Sequence, residues 1–105
     1  MPTNNVLVSV VVLTYNSSTT IIETLNSVKE QTYSNIELII TDDASSDTTI
    51  DICRQWLDLN GKYFFNYCLI TVEFNTGLPA NCNRALNASK GEWIKFIAGD
   101  DSLKK

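Results

Sequence analysis

The sequence predicts an α/β fold, a Rossmann-like parallel sheet in strand order 3-2-1-4 with helices on both faces. Short runs rich in β-branched residues, "VLVSVVVL", "IELII", "CLITVEF" and "WIKFI", alternate with segments whose apolar residues recur at helical spacing. The crossovers between runs are about 20 residues long, room for a helix and far more than a hairpin needs. Polar residues collect just after the runs, where open sheets of this kind bind ligands.

Each element follows in order. Val6 to Leu13 is the most continuously apolar run, as expected of a central strand covered on both faces. In the next segment Ile21, Ile22, Leu25 and Val28 share a helical face, and "TIIE" (Thr20 to Glu23) has the spacing of a capping box. Ile36 to Ile40 repeats the buried-strand signal. After "DDASSD", Ile50, Cys53, Trp56 and Leu57 mark a second helix, with Ser45 or Ser46 as its N-cap. "NGKYFFNY" (Asn60 to Tyr67) reads either as a turn or as an early start of the third strand, Cys68 to Phe74. "GLPANCNRALNASKG" gives a third helix, with Pro79 in its first turn, Leu78, Cys82, Ala85 and Leu86 facing inward, and Gly91 at the stop. Trp93 to Ile97 is the fourth strand. Parallel neighbours then require right-handed crossovers.

Composition narrows the function. A chain of 105 residues, 44% hydrophobic, can bury one core and forms one unit, 1–105. Its 12 acidic and 8 basic residues give a net charge of −4, with the basic ones scattered, so nucleic-acid binding is not expected. Cys53, Cys68 and Cys82 form no C-x-x-C pair and are odd in number, which fits reduced thiols in a cytoplasmic domain. Histidine is absent from the sequence, which removes Ser/His and Cys/His catalysis and leaves oxygen ligands for any metal. "VLVSVVVL" is far shorter than the roughly 20 residues that span a bilayer, so no transmembrane segment is expected in this chain. The N-x-S sequences at Asn16 and Asn87 carry little meaning without a route to secretion.

The strand ends hold the chemistry. The first ends in Thr14-Tyr15-Asn16, the second in Asp42-Asp43, the third in "FNTG" and the fourth in "GDD", with Asp100 and Asp101. Two carboxylate pairs on one rim repel unless hydrogen bonds or a cation offset the charge. Backbone N–H groups at the next helix's N-terminus can serve Asp42-Asp43. Asp100-Asp101 has no such donor in the sequence. A magnesium or manganese ion shared with phosphate oxygens is the simplest partner. A phospho-acceptor receiver domain would instead carry its acidic pair after the first strand, where this chain has "TYN". A noncatalytic nucleotide-binding module fits the same residues.

"VSVVVLTYNSSTTIIETLNSVKEQTYSNIELIITDDASSDTT" followed by "NTGLPANCNRALNASKGEWIKFIAGDD" resembles the N-terminal, nucleotide-sugar-binding half of the inverting family-two glycosyltransferases of GT-A fold. The resemblance runs from about Val8 to Asp101. It implies that Thr14, Tyr15 and Asn16 lie beside the nucleoside, that Asp42 hydrogen-bonds the base with Asp43 in support, that Asp100 approaches the ribose, and that Asp101 holds a divalent metal, Mn2+ or Mg2+, on the diphosphate. It further implies a nucleotide-diphosphate sugar donor, UDP-linked, and a glycan or lipid-linked acceptor, with the protein in the cytoplasm or at the inner face of the cell membrane. The chain is expected to be a piece of a longer protein, cut at Lys104 and Lys105, with the acceptor site and general base beyond residue 105; by itself it is expected to be inactive. Three positions depart from the family pattern: Leu13 stands for a usual proline, Ala98 for the first acid of D-x-D, and Cys82 for a frequent arginine of the third helix. Arg84 lies two residues from Cys82, and residues two apart on a helix point in different directions, so whether it replaces that arginine stays open.

Overall fold

A computed structural model describes residues 6–31, 33 and 35–99. Four parallel strands, β1 (Val8–Thr14), β2 (Ile36–Asp42), β3 (Asn66–Thr71) and β4 (Trp93–Ala98), lie in the order β3-β2-β1-β4. Helix α1 (Ile21–Lys29) joins β1 to its neighbour β2, α2 (Thr49–Asn60) joins β2 to its neighbour β3, and α3 (Leu78–Ala88) carries the chain from edge strand β3 across to edge strand β4. The expected order, the parallel pairing and the inner place of β1 all hold.

Strand alternation explains how one run of valines serves two cores. Val10 and Val12 of β1, with Leu38 and Ile40 of β2 and Ile97 of β4, pack against Ile21, Leu25 and Val28 of α1 and Cys53, Trp56 and Leu57 of α2. The intervening Val11 and Ile39 turn to the opposite face and meet Ala85 of α3. The α1/α2 face carries most of the buried apolar surface, and the α3 face is thin. Burial drives the Cys53 thiol up to about 12, with the Asp42 charge adding to the shift, so it is an inert core group. Cys53, Cys68 and Cys82 are all free, the last two half-buried.

Several local expectations are corrected. Thr20 precedes α1, but no side-chain cap closes the "TIIE" box; its hydroxyl is drawn instead to the Gly99 carbonyl at 3.0 Å. Ile22 falls on the exposed side of α1. Helix α2 begins at Thr49 with Thr48 at its N-cap, because Ser45 and Ser46 are used by the loops before it. Leu78 and Leu86 are exposed on α3, where Asn81 and Ala85 are the buried pair. Asn81 tolerates burial because its amide is spent on Thr41, accepting from Oγ1 at 2.7 Å and donating to the carbonyl at 3.1 Å. The segment before β3 resolves both readings in part: Gly61–Tyr63 is a 3-10 turn, and Asn66 and Tyr67 already belong to the strand. The strand therefore starts and stops earlier than expected, leaving Phe74 exposed.

Candidate functional site

The strand order places β1 between β2 and β4, and the chain crosses from one side of β1 to the other between β3 and β4. Such a reversal leaves a crevice at the carboxyl ends of the strands. Two clefts open there. One, of about 320 Å³, is lined by Leu13, Thr14, Tyr15, Asp43, Gly77 and Ala98 among others. The second, about 300 Å³, shares Leu13, Tyr15 and Ala98 and continues past Asn16 and Thr20 to Gly99. Thr14, Tyr15, Asn16 and Asp43 thus meet at one rim, as the sequence spacing suggested; Asp100 and Asp101 lie outside the described residues.

The two carboxylates of "TDDAS" point to different partners. Asp42 is fully buried, accepting from Thr14 Oγ1 at 2.6 Å, Ser45 Oγ at 2.6 Å and the Ser45 N–H at 2.8 Å. It lines neither cleft. Asp43, one residue on and of opposite facing, lines the larger one. Its Oδ1 accepts from the Thr76 N–H at 2.9 Å, Thr76 Oγ1 at 2.6 Å and Arg84 Nη2 at 2.9 Å, and its Oδ2 from the Gly77 N–H at 2.8 Å. The backbone donors foreseen from the following helix reach Asp42 through Ser45, whereas Asp43 is served by the N-terminus of α3. Burial pushes the Asp43 carboxyl upward, but the bonds from Thr76, Gly77 and Arg84 outweigh it and hold the group down at about 2. The site carboxylate is an ionised acceptor at any ordinary pH.

The loop ends are tied to each other. Asn16 adopts a left-handed backbone, φ 50°, which asparagine tolerates. Its Oδ1 accepts from the Ser46 N–H at 2.8 Å while its own N–H donates to Ser45 Oγ at 2.8 Å, so the loops after β1 and β2 are stitched together. Asp47 accepts from the Thr49 hydroxyl and N–H and from the Ser18 N–H, and these bonds hold its carboxyl down at about 2. Ala44 also sits at positive φ, 64°, directly after Asp43. On the β4 side, the Gly99 N–H donates to Leu13 O at 2.8 Å, and the Gly99 carbonyl accepts from Thr20 and Thr24 hydroxyls at 3.0 and 2.9 Å. A Cβ on Gly99 would lie 2.9 Å from Ser17 Oγ and 3.1 Å from Thr14 Cγ2, so any larger residue would have to push these side chains aside. Tyr15, half-exposed, lines both clefts.

Three contributors were not singled out as site residues in the sequence. Thr76 and Gly77 hold Asp43, and nothing in "FNTG" short of the fold tells which carboxylate they reach. Thr24 stands on the buried face of α1, where its spacing reads as helix packing. Arg84, left open in the sequence, is ion-paired to Asp43. Among the described residues no group of three or more His, Cys, Asp or Glu could hold a metal ion. No helix among them is long and apolar enough to cross a membrane.

A four-stranded parallel sheet in the order β3-β2-β1-β4, with a crevice at its reversal point, defines an α/β unit of GT-A type. The chain belongs to glycosyl transferase family 2, whose model matches residues 9–105. It is 40% identical over 96 residues to the UDP-Glc:alpha-D-GlcNAc-diphosphoundecaprenol beta-1,3-glucosyltransferase WfaP of Escherichia coli, covering 90% of this chain and 36% of that one. It superimposes on S. aureus TarS 1-349 in complex with UDP-GlcNAc with a TM-score of 0.80 and 33% identity, covering 91% of this chain and 27% of that one. Mannosyltransferase PcManGT from Pyrobaculum calidifontis, in complex with GDP-Man and Mn2+, gives 0.88 at 27% identity, covering the whole of this chain and 31% of that one. The chain therefore spans about a third of the length of these relatives. Family membership removes the receiver-domain reading.

Proposed function

We propose that this chain is the donor-binding part of an inverting, metal-dependent glycosyltransferase that uses a nucleotide-diphosphate sugar, with UDP as the nucleotide. The observation that carries the reading is Asp43, an ionised carboxylate that lines the larger cleft with Thr14 and Tyr15. An acceptor of this kind suits the ring N–H of uracil, and the exposed Tyr15 ring suits stacking on the base. Asp42, enclosed by Thr14 and Ser45, has the supporting role, so the division of labour is the reverse of that expected from the resemblance. Asn16 shapes the rim beside the nucleoside. Asp100 approaches the ribose and Asp101 would hold Mn2+ or Mg2+, which supplies positive charge to the diphosphate. The acceptor, a glycan or a lipid-linked glycan, and the general base belong to residues beyond 105, and the protein works in the cytoplasm or at the inner face of the membrane. The Escherichia coli relative, named for a UDP-sugar donor and a diphosphoundecaprenol acceptor, supports this reading.

The test is calorimetric titration of UDP with and without Mn2+ on wild type, Asp43→Asn and Asp101→Ala. Wild type binds UDP more tightly with the metal, Asp43→Asn loses affinity in both conditions, and Asp101→Ala loses only the metal's benefit. Equal enhancement by Mn2+ in wild type and Asp101→Ala would remove Asp101 from the metal site.

A further inference from the structure

The end of β4 is pinned at Gly99 from several sides. The Gly99 N–H donates to Leu13 O at 2.8 Å and continues the pairing of β4 with β1. Its carbonyl accepts from Thr20 Oγ1 at 3.0 Å and Thr24 Oγ1 at 2.9 Å, so two hydroxyls fill the two acceptor positions of one oxygen. Both hydroxyls pass over local partners to do so. Thr20 Oγ1 lies 3.4 Å from Ser17 O and Thr24 Oγ1 lies 3.3 Å from Thr20 O, each longer than the bond to Gly99, and a hydroxyl has one proton to give. Thr20 also forgoes the side-chain cap that its type and its place before α1 offer. An added Cβ on Gly99 would lie 3.1 Å from both Ser17 Cβ and Thr14 Cγ2, so the α-carbon is packed as well.

The strand held this way has little else to aim it. β4 is an edge of the sheet, and of its 6 residues only Ile97 is buried, with Trp93, Ile94 and Phe96 exposed. Apolar packing therefore does little to direct its end, and hydrogen bonds do the rest. Peptide units are planar, so pinning the Gly99 N–H and carbonyl fixes the units on both sides of its α-carbon, and with them the direction in which the chain leaves β4. Asp100 and Asp101 are the next two residues in the sequence. Resting on the reading of Asp101 as the metal ligand, we infer that Thr20 and Thr24 are positioning residues for that ligand: by holding the Gly99 carbonyl they aim the chain so that the Asp101 carboxylate meets the ion on the diphosphate. Neither threonine lines the larger cleft, where Asp43 and Gly77 stand, so their effect falls on the metal and spares the base contacts. Groups that orient a metal ligand without touching the ion typically change metal affinity by about 10- to 100-fold when removed.

The experiment is calorimetric titration of UDP with and without saturating Mn2+ on the full chain, for wild type, Thr20→Val, Thr24→Val, Thr24→Ser and Asp101→Ala, with melting curves as folding controls. Valine keeps the shape of threonine and removes the hydroxyl, whereas serine keeps the hydroxyl. Each valine variant cuts the Mn2+ enhancement of UDP affinity by about tenfold and leaves metal-free UDP affinity at the wild-type value, and Thr24→Ser keeps the enhancement. Thr24 is fully buried and Thr20 only partly, so Thr20→Val carries the test should Thr24→Val not fold. A merely structural role would lower the melting temperature and weaken UDP equally with and without the metal, which leaves the enhancement ratio alone. A wild-type ratio in the folded valine variants, while Asp101→Ala loses the enhancement, overturns the inference and leaves Asp101 as the metal ligand. Enhancement retained in Asp101→Ala overturns the metal-ligand reading itself, and this inference with it.

Discussion

Thr14 and Asp42 end neighbouring strands at paired positions, and the Thr14 hydroxyl donates to Asp42 Oδ1 at 2.6 Å with both side chains buried. The bond closes the rim between β1 and β2 just where Tyr15 and Asp43 turn toward the cleft. Thr14→Val keeps the shape and removes the donor, leaving Asp42 to Ser45 alone. Loss of a hydrogen bond to a buried charged group costs about 1.5–3 kcal/mol, and urea denaturation of Thr14→Val reads it. A variant as stable as wild type would show that Ser45 suffices.

Ala44 holds a left-handed backbone conformation that is costly for a residue with a Cβ. At φ 64° its Cβ crowds the following carbonyl, a penalty of about 1–2 kcal/mol that glycine does not bear. Ala44→Gly regains part of it, less the extra entropy glycine loses on folding, for a net gain of about 0.5–1 kcal/mol. Chemical denaturation measures the gain, and a loss of stability would mean that the Ala44 methyl packs favourably enough to offset the strain.

The sheet was legible in the sequence because its four apolar runs differ so plainly from the helices between them, and the central place of β1 followed from its being the most continuously apolar run. The faces of α3 were not. Leu78 and Leu86 suggested a buried stripe by hydrophobicity, while burial went to Asn81, which no apolar pattern can announce because a hydrogen-bonded pair with Thr41 replaces the hydrophobic contact. Helix starts were misplaced for a related reason. Thr20, Ser45 and Ser46 are good caps by type, and all three are claimed elsewhere: Thr20 and Ser46 by the distant Gly99 and Asn16, and Ser45 by Asp42 three residues before it. The site rim was legible as a set of residues and not as a set of roles. Asp42 and Asp43 are indistinguishable side by side, until strand alternation sends one inward to Thr14 and the other out to the cleft.

Gly99 joins the rim to the end of β4. With Ser17 Oγ at 2.9 Å and Thr14 Cγ2 at 3.1 Å from an added Cβ, Gly99→Ala forces the chain away from Leu13 and from the Thr20 and Thr24 hydroxyls. Overpacking of this kind costs about 1–3 kcal/mol. Thermal melting shows the loss, and UDP titration of the folded fraction shows weaker binding, since the cleft walls Ala98 and Gly99 move with it. Wild-type melting and affinity together would mean that Ser17 rotates away at no cost.

The pH dependence of stability follows from Asp43. Its carboxyl lies at about 2 in the folded chain against an ordinary 3.8, because the bonds from Thr76, Gly77 and Arg84 overcome the upward push of burial. A depressed carboxylate contributes stability that is complete above its unfolded value and drains away as pH falls through the folded one. The contribution is therefore present above about pH 4 and lost between about pH 4 and pH 2. In Asp43→Asn the group is neutral at every pH, and the Arg84 guanidinium loses its ion-pair partner. Urea denaturation of both proteins from neutral pH down to about pH 2 then gives a stability gap that is constant at the top of the range and narrows at the bottom, as wild-type Asp43 takes up its proton. A gap of constant size down to the lowest pH would mean that the charge on Asp43 contributes nothing to the fold and that its bonds to Thr76 and Gly77 act as well with a neutral side chain.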